Sequence, residues 1–325
     1  MTQDSSSLAS APPAGAGPAP KIVILLATWN GAANLRAQLD SFCRQTIRPA
    51  LLLVSDDGSR DDTLAILQDF AAADPGFAVE LRAGPQRGGA YNFLSLLQAV
   101  PDDADLVAFS DQDDVWLPDK TARGLRLLSR VPGDRPALLG GRTYVCDEAL
   151  HNQRMSPLPQ RAMGFRHALV QNFAGGNTMI LNRAGIALAR AAAAEAGRVV
   201  THDWWLYQLV SGAGGEVIYD EVPLLLYRQH GANQIGANTG FWAKMRRLRW
   251  MLRGRFRRWN AINLAALSAS AHRLTPENRE VLADFARLQR AGLAERIAIL
   301  RRLGLYRHGL GAMTSLWLAA VLGRI

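Results

Sequence analysis

The stretch Leu106-Val107-Ala108-Phe109-Ser110-Asp111-Gln112-Asp113-Asp114-Val115-Trp116 places three carboxylates within four residues, directly after a short apolar run. The run is typical of a strand that is buried on both faces. Closely spaced acidic side chains at a strand end repel one another unless positive charge lies against them, and a divalent cation with bound phosphates is the usual occupant. The stretch therefore predicts metal-assisted nucleotide chemistry at the edge of a sheet.

Strands and helices alternate three times before this stretch. The predicted elements are strands at 21–27, 51–54, 77–81 and 106–109 and helices at 34–45, 61–73 and 89–99. Short apolar runs indicate the strands, and apolar side chains at helical spacing indicate the helices. The alternation predicts an α/β fold with a mostly parallel central sheet and helices on both faces.

Polar clusters follow the four predicted strands, where ligands bind in sheets of this kind. The clusters are Thr28-Trp29-Asn30, Asp56-Asp57-Gly58-Ser59, Gln86-Arg87-Gly88-Gly89 and Asp111-Gln112-Asp113. No G-x-G-x-x-G follows the first strand and no G-x-x-x-x-G-K-[ST] occurs, which argues against an ordinary dinucleotide site and against a P-loop.

The positive charge of the chain is confined to its C-terminal part. The net charge is +9, yet residues 1–240 hold 20 basic and 24 acidic residues, whereas residues 241–325 hold 17 and 4. This asymmetry favours a local anionic partner over a globally basic nucleic-acid binder. Cys43 and Cys146 are isolated, without a CxxC motif, which favours a reducing cytoplasm.

Six motifs occur along the chain in a fixed order: ATWNG at 27–31, SDDGSRDDT at 55–63, NF at 92–93, FSDQDDVWLPDK at 109–120, HDWW at 202–205 and YRQHGAN at 227–233. Together they resemble glycosyltransferase family 2, and within it the bacterial rhamnosyltransferase-type enzymes that build surface polysaccharides. The resemblance covers 21–235. It implies a GT-A fold, a nucleotide-sugar donor, Mg²⁺ or Mn²⁺ as the cofactor, and inversion at the anomeric carbon.

The resemblance also implies roles for individual acids. Asp113 would ligate the metal directly, while Asp111 would hold the ribose, the metal or a metal-bound water. Asp57 would recognise the base, and Asp203 would be the catalytic base that removes a proton from the acceptor hydroxyl. Asp114 is interpreted instead as a helix-start acid.

The segment YRQHG matches a part of the family near the diphosphate and the metal. The planar fork of Arg228 suits phosphate oxygens, and neutral His230 is an ordinary ligand for transition-type divalent ions. Trp29 is interpreted either as a flat wall against the base or as core packing. The predicted donor site is completed by residues beyond the first and third strands: Thr28, Trp29, Asn30 and Gln86.

Two motifs leave alternatives open. Asp203 opens a helix-like segment over 203–211, so its other interpretation is a first-turn acid stabilised by the helix N-terminus. The pair Gly175-Gly176 precedes an apolar run and indicates either close approach of the backbone to a ligand or a tight turn.

The C-terminal part contains two unusual segments. Residues 241–259 carry apolar side chains at spacings of three and four with eight Lys or Arg between them, which predicts an amphipathic helix on an anionic membrane surface. The alternative is a helix that covers the domain, and the acidic catalytic half argues against nucleic acid. Residues 309–323 are apolar but shorter than the roughly twenty residues needed to span a bilayer. They predict an interfacial element, a core helix or an oligomer contact.

The predicted domains are a disordered leader at 1–20, a catalytic domain at 21–235 with nucleotide-binding (21–115) and acceptor (116–235) halves, and a basic helical membrane-associating extension at 236–325. The predicted function is inverting, metal-dependent transfer of rhamnose or another hexose from a dTDP- or UDP-sugar. The acceptor implied by the resemblance is a growing surface polysaccharide or a polyprenyl-diphosphate-linked glycan at the inner face of the cytoplasmic membrane. The alternatives are a Mg²⁺-dependent nucleotidyltransferase and a catalytically silent scaffold of a polysaccharide assembly complex.

Overall fold

The computed structural model describes residues 19–229 and 254–325. The strands are β1 (Ile22–Thr28), β2 (Leu51–Asp56), β3 (Ala78–Ala83), β4 (Leu106–Ser110), β5 (Val115–Trp116), β6 (Ala137–Gly141), β7 (Tyr144–Cys146), β8 (Arg154–Met155), β9 (Ile180–Asn182), β10 (Glu216–Asp220) and β11 (Leu225–Arg228). The helices are α1 (Ala32–Cys43), α2 (Thr63–Ala72), α3 (Gly89–Gln98), α4 (Lys120–Leu128), α5 (Phe165–Ala168), α6 (Arg183–Ala193), α7 (His202–Gly212), α8 (Arg255–Ala269), α9 (Pro276–Leu288), α10 (Leu293–Leu303) and α11 (Leu310–Val321).

Seven strands form the central sheet in the order β10-β6-β9-β4-β1-β2-β3. All pairs are parallel except those of β9, which is antiparallel to both β4 and β6. A second sheet has the order β5-β11-β7-β8. The predicted α/β architecture is confirmed. Because β1 has β2 on one side and β4 on the other, the strand order reverses here, and such a reversal is where open α/β sheets bind ligands.

The predicted elements of the first half are present, with ends that differ by a few residues. β2 extends to Asp56 because Ser55 and Asp56 continue the parallel pairing with Ala27 and Thr28 of β1. α2 begins at Thr63, two residues after the predicted start, because the Asp61 carboxylate accepts hydrogen bonds from the Thr63 amide and hydroxyl. Both differences arise from contacts that the local spacing of apolar residues does not predict.

The C-terminal helices share an apolar core with residues 19–229. One buried cluster runs from the sheet through α7 into α8–α11, and its members include Phe109, Leu206, Leu209, Leu267, Phe285, Leu300 and Leu316. One side of α11 therefore supplies core residues, as one interpretation of 309–323 predicted. Within 19–229 and 254–325, no helix has the length and apolar composition needed to cross a membrane.

Residues 241–253 of the basic segment 241–259 lie outside the described residues. In the described part, the Arg307 guanidinium lies 4.4 Å from the centre of the Phe256 ring. The Trp259 ring lies edge-on to Trp204, with 6.5 Å between centroids. Both rings are half-buried against the protein, so the domain-covering alternative holds for these two residues.

Two buried histidines should make the fold sensitive to acid. Burial, reinforced by His308, lowers the pKa of His167 to about 3, and burial lowers the pKa of His202 to about 4. The unfolded chain takes up protons near the ordinary value of 6.5, so stability is intact above that pH and falls as the pH drops below it. We expect a loss of the order of 1 kcal/mol per pH unit per histidine, measured by urea unfolding from about pH 7 to pH 5. Equal slopes in wild type and in His167→Gln and His202→Gln would contradict this.

Candidate active site

The turn after β2 is closed by Asp56. Its carboxylate accepts hydrogen bonds from the amides of Gly58 (3.1 Å) and Ser59 (2.8 Å), and from the hydroxyls of Ser59 and Thr28. The candidate Thr28 is buried, and its hydroxyl is used in this contact. Asp56, and not its neighbour Asp57, therefore accepts the hydrogen bonds that close this turn.

Asp57 instead holds the loop that precedes α3. Its two carboxylate oxygens accept from the backbone amides of Gln86 (2.6 Å) and Gly88 (2.7 Å). Gln86 adopts a left-handed φ of 53°, and a Cβ at Gly84 would lie 2.9 Å from Asp57 Oδ1. Because each carboxylate oxygen has a second lone pair, Asp57 keeps acceptor capacity toward a ligand.

Trp29 lies exposed at the mouth of the site, with 61% of its surface accessible, so the core-packing interpretation is wrong. Its backbone amide donates to Gln112 Oε1 (2.8 Å), and its carbonyl accepts from Gln112 Nε2 (3.0 Å). Next along the chain, Asn30 accepts from the Arg60 amide (2.8 Å). Gln112 thereby ties the end of β1 to the acidic stretch after β4. Sequence reasoning did not include Gln112 among the candidate site residues, although it lies between the candidates Asp111 and Asp113.

The acidic stretch and the second candidate motif come together. Asp111 and Asp113 are partly exposed. Burial raises the pKa of Asp111 well above its ordinary value, and the charges of Asp114, Asp113 and Asp203 raise it further. Asp203 is therefore within electrostatic reach of Asp111, although the two lie on different elements far apart in the chain.

Asp114 is not a helix-start acid, which corrects the sequence interpretation. It is fully buried, and α4 begins only at Lys120. One carboxylate oxygen accepts from Asn177 Nδ2 (2.5 Å) and the other from the Arg228 amide (3.2 Å). The Asp114 carboxyl therefore lies inside the protein, behind the partly exposed Asp111 and Asp113, and burial raises its pKa to about 7.

Lys120 is buried near Asp114. Its ammonium donates to the Asn177 carbonyl, and Nζ lies 3.6 Å from the centroid of the Trp116 ring. Burial lowers the pKa of Lys120, while Asp114 opposes that shift. We call Asp114, Lys120 and Asn177 the buried polar cluster. It joins the acidic stretch to the turn Gly176–Thr178.

Arg228 holds the backbone of the acidic stretch. Its Nε donates to the Asp113 carbonyl (2.8 Å), and its Nη1 donates to the carbonyl of Glu148. The candidate ligand His230 lies outside the described residues. Arg228 therefore lies beside the acidic stretch, and its role toward the phosphates stays a prediction.

Asp203 occupies the first turn of α7. Its Oδ2 accepts from Asn172 Nδ2 (2.9 Å), and its Oδ1 accepts from the Trp204 amide (2.7 Å). The neighbouring His202 ring is buried, with its centroid 3.8 Å from that of Phe93. This stacking fixes the start of α7 beside the sheet. Sequence reasoning did not select Asn172, whose only signal was its place in the motif NFAGGN.

The close approach at Gly176 is made to the protein itself. A Cβ at this position would lie 2.4 Å from His202 Nε2 and 3.4 Å from Asp203 Cβ. The backbone of the glycine pair therefore packs directly behind the start of α7. Close approach to His202 thus accounts for Gly176 without a ligand.

We expect Gly176→Ala to displace His202 and with it Asp203. Overpacking of this kind destabilises by about 1–3 kcal/mol. A shift of about 1 Å in the Asp203 carboxylate is expected to lower kcat by about 10²-fold. The matched control is Gly133→Ala, because a Cβ at Gly133 would meet no described atom within 4 Å. Unfolding curves and turnover should change only for Gly176→Ala, and unchanged turnover in both variants would contradict the assignment.

The described side chains fit a divalent cation that is bound together with a ligand. Within 19–229 and 254–325, no group of three or more His, Cys, Asp or Glu side chains forms a metal cage. The mutual repulsion around Asp111, and the hard oxygen donors of Asp111 and Asp113, suit a Mg²⁺-type ion that takes its remaining ligands from phosphates and water. Such a site would assemble only when the donor is bound.

The fold and the site define the class of protein. The S. aureus protein TarS, as the 1–349 fragment solved in complex with UDP-GlcNAc, has a similar fold with a TM-score of 0.55. The two share 13% sequence identity over 81% of this chain and 70% of that one. The two chains thus share one architecture, which is the GT-A fold.

Sequence comparison gives the family. Residues 23–195 match the sequence model of the family described as Glycosyl transferase family 2. The dTDP-rhamnosyl transferase RfbG of Shigella flexneri is 31% identical over 235 residues, which cover 69% of this chain and 78% of RfbG. The chain belongs to glycosyltransferase family 2, and it is an enzyme of the glycosyltransferase class.

Proposed function

We propose that this enzyme transfers rhamnose or another hexose from a dTDP- or UDP-sugar to a cell-surface polysaccharide or a lipid-linked glycan, with inversion at the anomeric carbon. The observation that carries the proposal is that the Gly176–Thr178 turn contacts both motifs: a Cβ at Gly176 would lie 3.4 Å from Asp203 Cβ, and Asn177 donates to Asp114 at the end of the acidic stretch (2.5 Å). A candidate base thus lies beside the candidate donor carboxylates. The likeness to RfbG, whose name specifies dTDP-rhamnose transfer, supports the choice of sugar and nucleotide.

The nucleotide would lie against the ends of β1 and β2. A carboxylate accepts from the N3–H of uracil or thymine, a donor that cytosine lacks, and Asp57 supplies that acceptor. The exposed Trp29 ring offers a flat apolar surface for the base. Asn30 and Gln86 line the same edge.

The diphosphate would lie over the acidic stretch. Asp111 and Asp113, with His230, would hold Mg²⁺ or Mn²⁺, which neutralises negative charge on the leaving nucleoside diphosphate. Arg228 supports this arrangement by fixing the Asp113 carbonyl. Placed beside the acids, its guanidinium also adds positive charge near the diphosphate.

The transfer itself would depend on Asp203. As the acceptor hydroxyl attacks the anomeric carbon, Asp203 takes the hydroxyl proton, the new glycosidic bond forms, and the bond to the diphosphate breaks with its electron pair on the leaving oxygen. Attack opposite the leaving group inverts the anomeric centre. Asn172 and the Trp204 amide hold the carboxylate in one orientation.

The partners of the enzyme extend the proposal beyond the donor. Residues 21–115 would bind the nucleotide and 116–235 the acceptor, which we propose is a polyprenyl-diphosphate-linked glycan. The basic segment 241–259 would hold the enzyme on the inner face of the cytoplasmic membrane, as its excess of positive charge suits anionic lipid.

A donor panel tests the reaction. Purified protein is incubated with dTDP-rhamnose, UDP-sugars or GDP-sugars, with and without Mn²⁺, and its melting temperature and nucleotide products are measured. We expect dTDP- or UDP-sugars to raise the melting temperature, since ligands that bind only the folded state stabilise it. Transfer would release a nucleoside diphosphate. Stabilisation by GDP-sugars alone would exclude the proposed pyrimidine role of Asp57.

The same panel separates the two alternatives. A nucleotidyltransferase would consume a nucleoside triphosphate and release pyrophosphate rather than a nucleoside diphosphate. A silent scaffold would show neither binding nor product with any donor. Either outcome would overturn the proposed function.

A further inference from the structure

One face of α11 is apolar and exposed. At about 100° per residue, Leu310, Thr314, Leu318, Val321 and Leu322 fall within an arc of about 120°. The four apolar members are between 42% and 89% exposed. The opposite side of the helix is buried in the core through Leu316, Ala319 and Ala320.

This face departs from the usual pattern of a surface helix. A helix that covers a core normally presents charged or polar residues to water, whereas α11 contains no charged residue. The start of α10 lies beside the end of α11, because Arg296 donates to the Ala320 carbonyl (3.0 Å). Leu293, three residues before Arg296, is 53% exposed, so both helices present exposed apolar side chains.

Positive charge borders the same end. The position of a Cβ on Gly254, just before α8, lies 3.5 Å from Arg324 Nη1, just after α11. The first turn of α8 therefore brings the exposed Arg257 and Arg258 close to the end of the apolar face. This turn contains no acidic residue, so the positive end of the helix dipole and the arginines repel each other. An adjacent anion would reduce this repulsion.

We infer that the exposed face of α11, with Leu293 and the arginines at its end, lies on an anionic lipid bilayer. Apolar side chains would enter the boundary between headgroups and acyl chains, while Arg257, Arg258 and Arg324 would meet the lipid phosphates. A second copy of the chain fits this surface less well. Residues 254–325 contain twelve arginines and four acidic residues, a net charge of +8, which would be brought against an equal charge.

This inference concerns the membrane partner proposed above but places the contact on a different element. Phe256 and Trp259, which the sequence pattern assigned to the membrane, pack against the protein instead. α11 presents the exposed apolar side chains that a bilayer contact needs.

Vesicle flotation of the full chain tests the inference. The vesicles contain either equal parts of phosphatidylglycerol and phosphatidylcholine or phosphatidylcholine alone. We expect the wild type to bind the mixed vesicles, with binding that weakens as salt is added. Leu318→Asp/Leu322→Asp should lower the partition coefficient by about tenfold or more, because two apolar side chains leave the bilayer. The matched control is Leu64→Asp on α2, since Leu64 and Leu318 are equally exposed at 42%.

Four outcomes would overturn the inference. The first is no binding of the wild type to the mixed vesicles, and the second is unchanged binding of the double variant. The third is a wild-type dimer that the double variant converts to a monomer without loss of vesicle binding, which would assign the face to a second copy. If only Arg246→Gln/Arg247→Gln/Arg249→Gln loses binding, the proposed attachment through 241–259 stands while the α11 contact fails. Melting temperatures and transfer to a soluble acceptor are measured for every variant to establish that it is folded.

Discussion

Asp203→Asn is expected to lower kcat by about 10³-fold while the affinity for the donor changes little, because removal of a general base acts on the transfer step. Asparagine preserves the shape of the side chain, and its carbonyl oxygen can still accept from Asn172 Nδ2, while the hydrogen bond from the Trp204 amide is lost. The variant therefore tests the proton-accepting role rather than the packing. Turnover is measured from released nucleoside diphosphate, and donor affinity from thermal shift.

The control addresses the other interpretation of Asp203, that of a first-turn acid in a favourable helix field. Glu295 occupies the first turn of α10 and is exposed. Glu295→Gln should cost a few tenths of a kcal/mol in stability, as loss of a helix-end charge does, and leave kcat unchanged. If Asp203→Asn behaved in the same way, the base assignment would be wrong.

Lys120→Met is expected to destabilise the fold by about 1–3 kcal/mol, because the buried Asn177 carbonyl loses its donor and the Trp116 ring loses the ammonium beside it. Asp114 would also lose the nearby positive charge that favours its ionised form. The ammonium donor lost from the Asn177 carbonyl anchors the turn beside His202. We therefore expect kcat to fall as well, although Lys120 touches no predicted ligand position.

The second variant separates the charge from the geometry. Lys120→Met/Asp114→Asn removes both ionisable groups, and asparagine can still accept from the Arg228 amide, although its own amide nitrogen then faces Asn177 Nδ2. If electrostatic coupling between Lys120 and Asp114 accounts for the effect, the double variant is less destabilised in urea unfolding than the sum of the two single variants. Additive losses in the double variant would contradict coupling between the two residues. Recovery of stability without recovery of kcat would assign Lys120 a positioning role toward the Gly176–Thr178 turn.

Much of the fold was predictable because its signals are local. A continuous apolar run such as 22–26 forms a buried strand, and apolar residues three or four apart form a helix wherever they occur. The rule that ligands lie beyond the strand ends then placed Trp29, Asp57 and Asp111 at one edge of the sheet. Which of these side chains bind a ligand remains a prediction from the family motifs.

The partners of those residues were not predictable, because they come from distant parts of the chain. Gln112 binds the backbone of Trp29 across 83 residues, and Lys120 reaches Asn177 across 57. Neither separation leaves a periodic trace in the sequence. The adjacent acids Asp113 and Asp114 illustrate the limit, since only the packing shows that the first is partly exposed and the second is buried.

The sequence by itself therefore determined the strand–helix alternation, the candidate site residues and the family, because these depend on residue type and short-range spacing. The tertiary structure alone decided that Asp114 belongs to the buried polar cluster, that Gly176 packs against His202, and that α11 has both a buried and an exposed apolar face. The physical reason is that burial and hydrogen-bond partners depend on which distant segments of the chain pack together. That packing is a property of the whole fold and not of any short stretch of sequence.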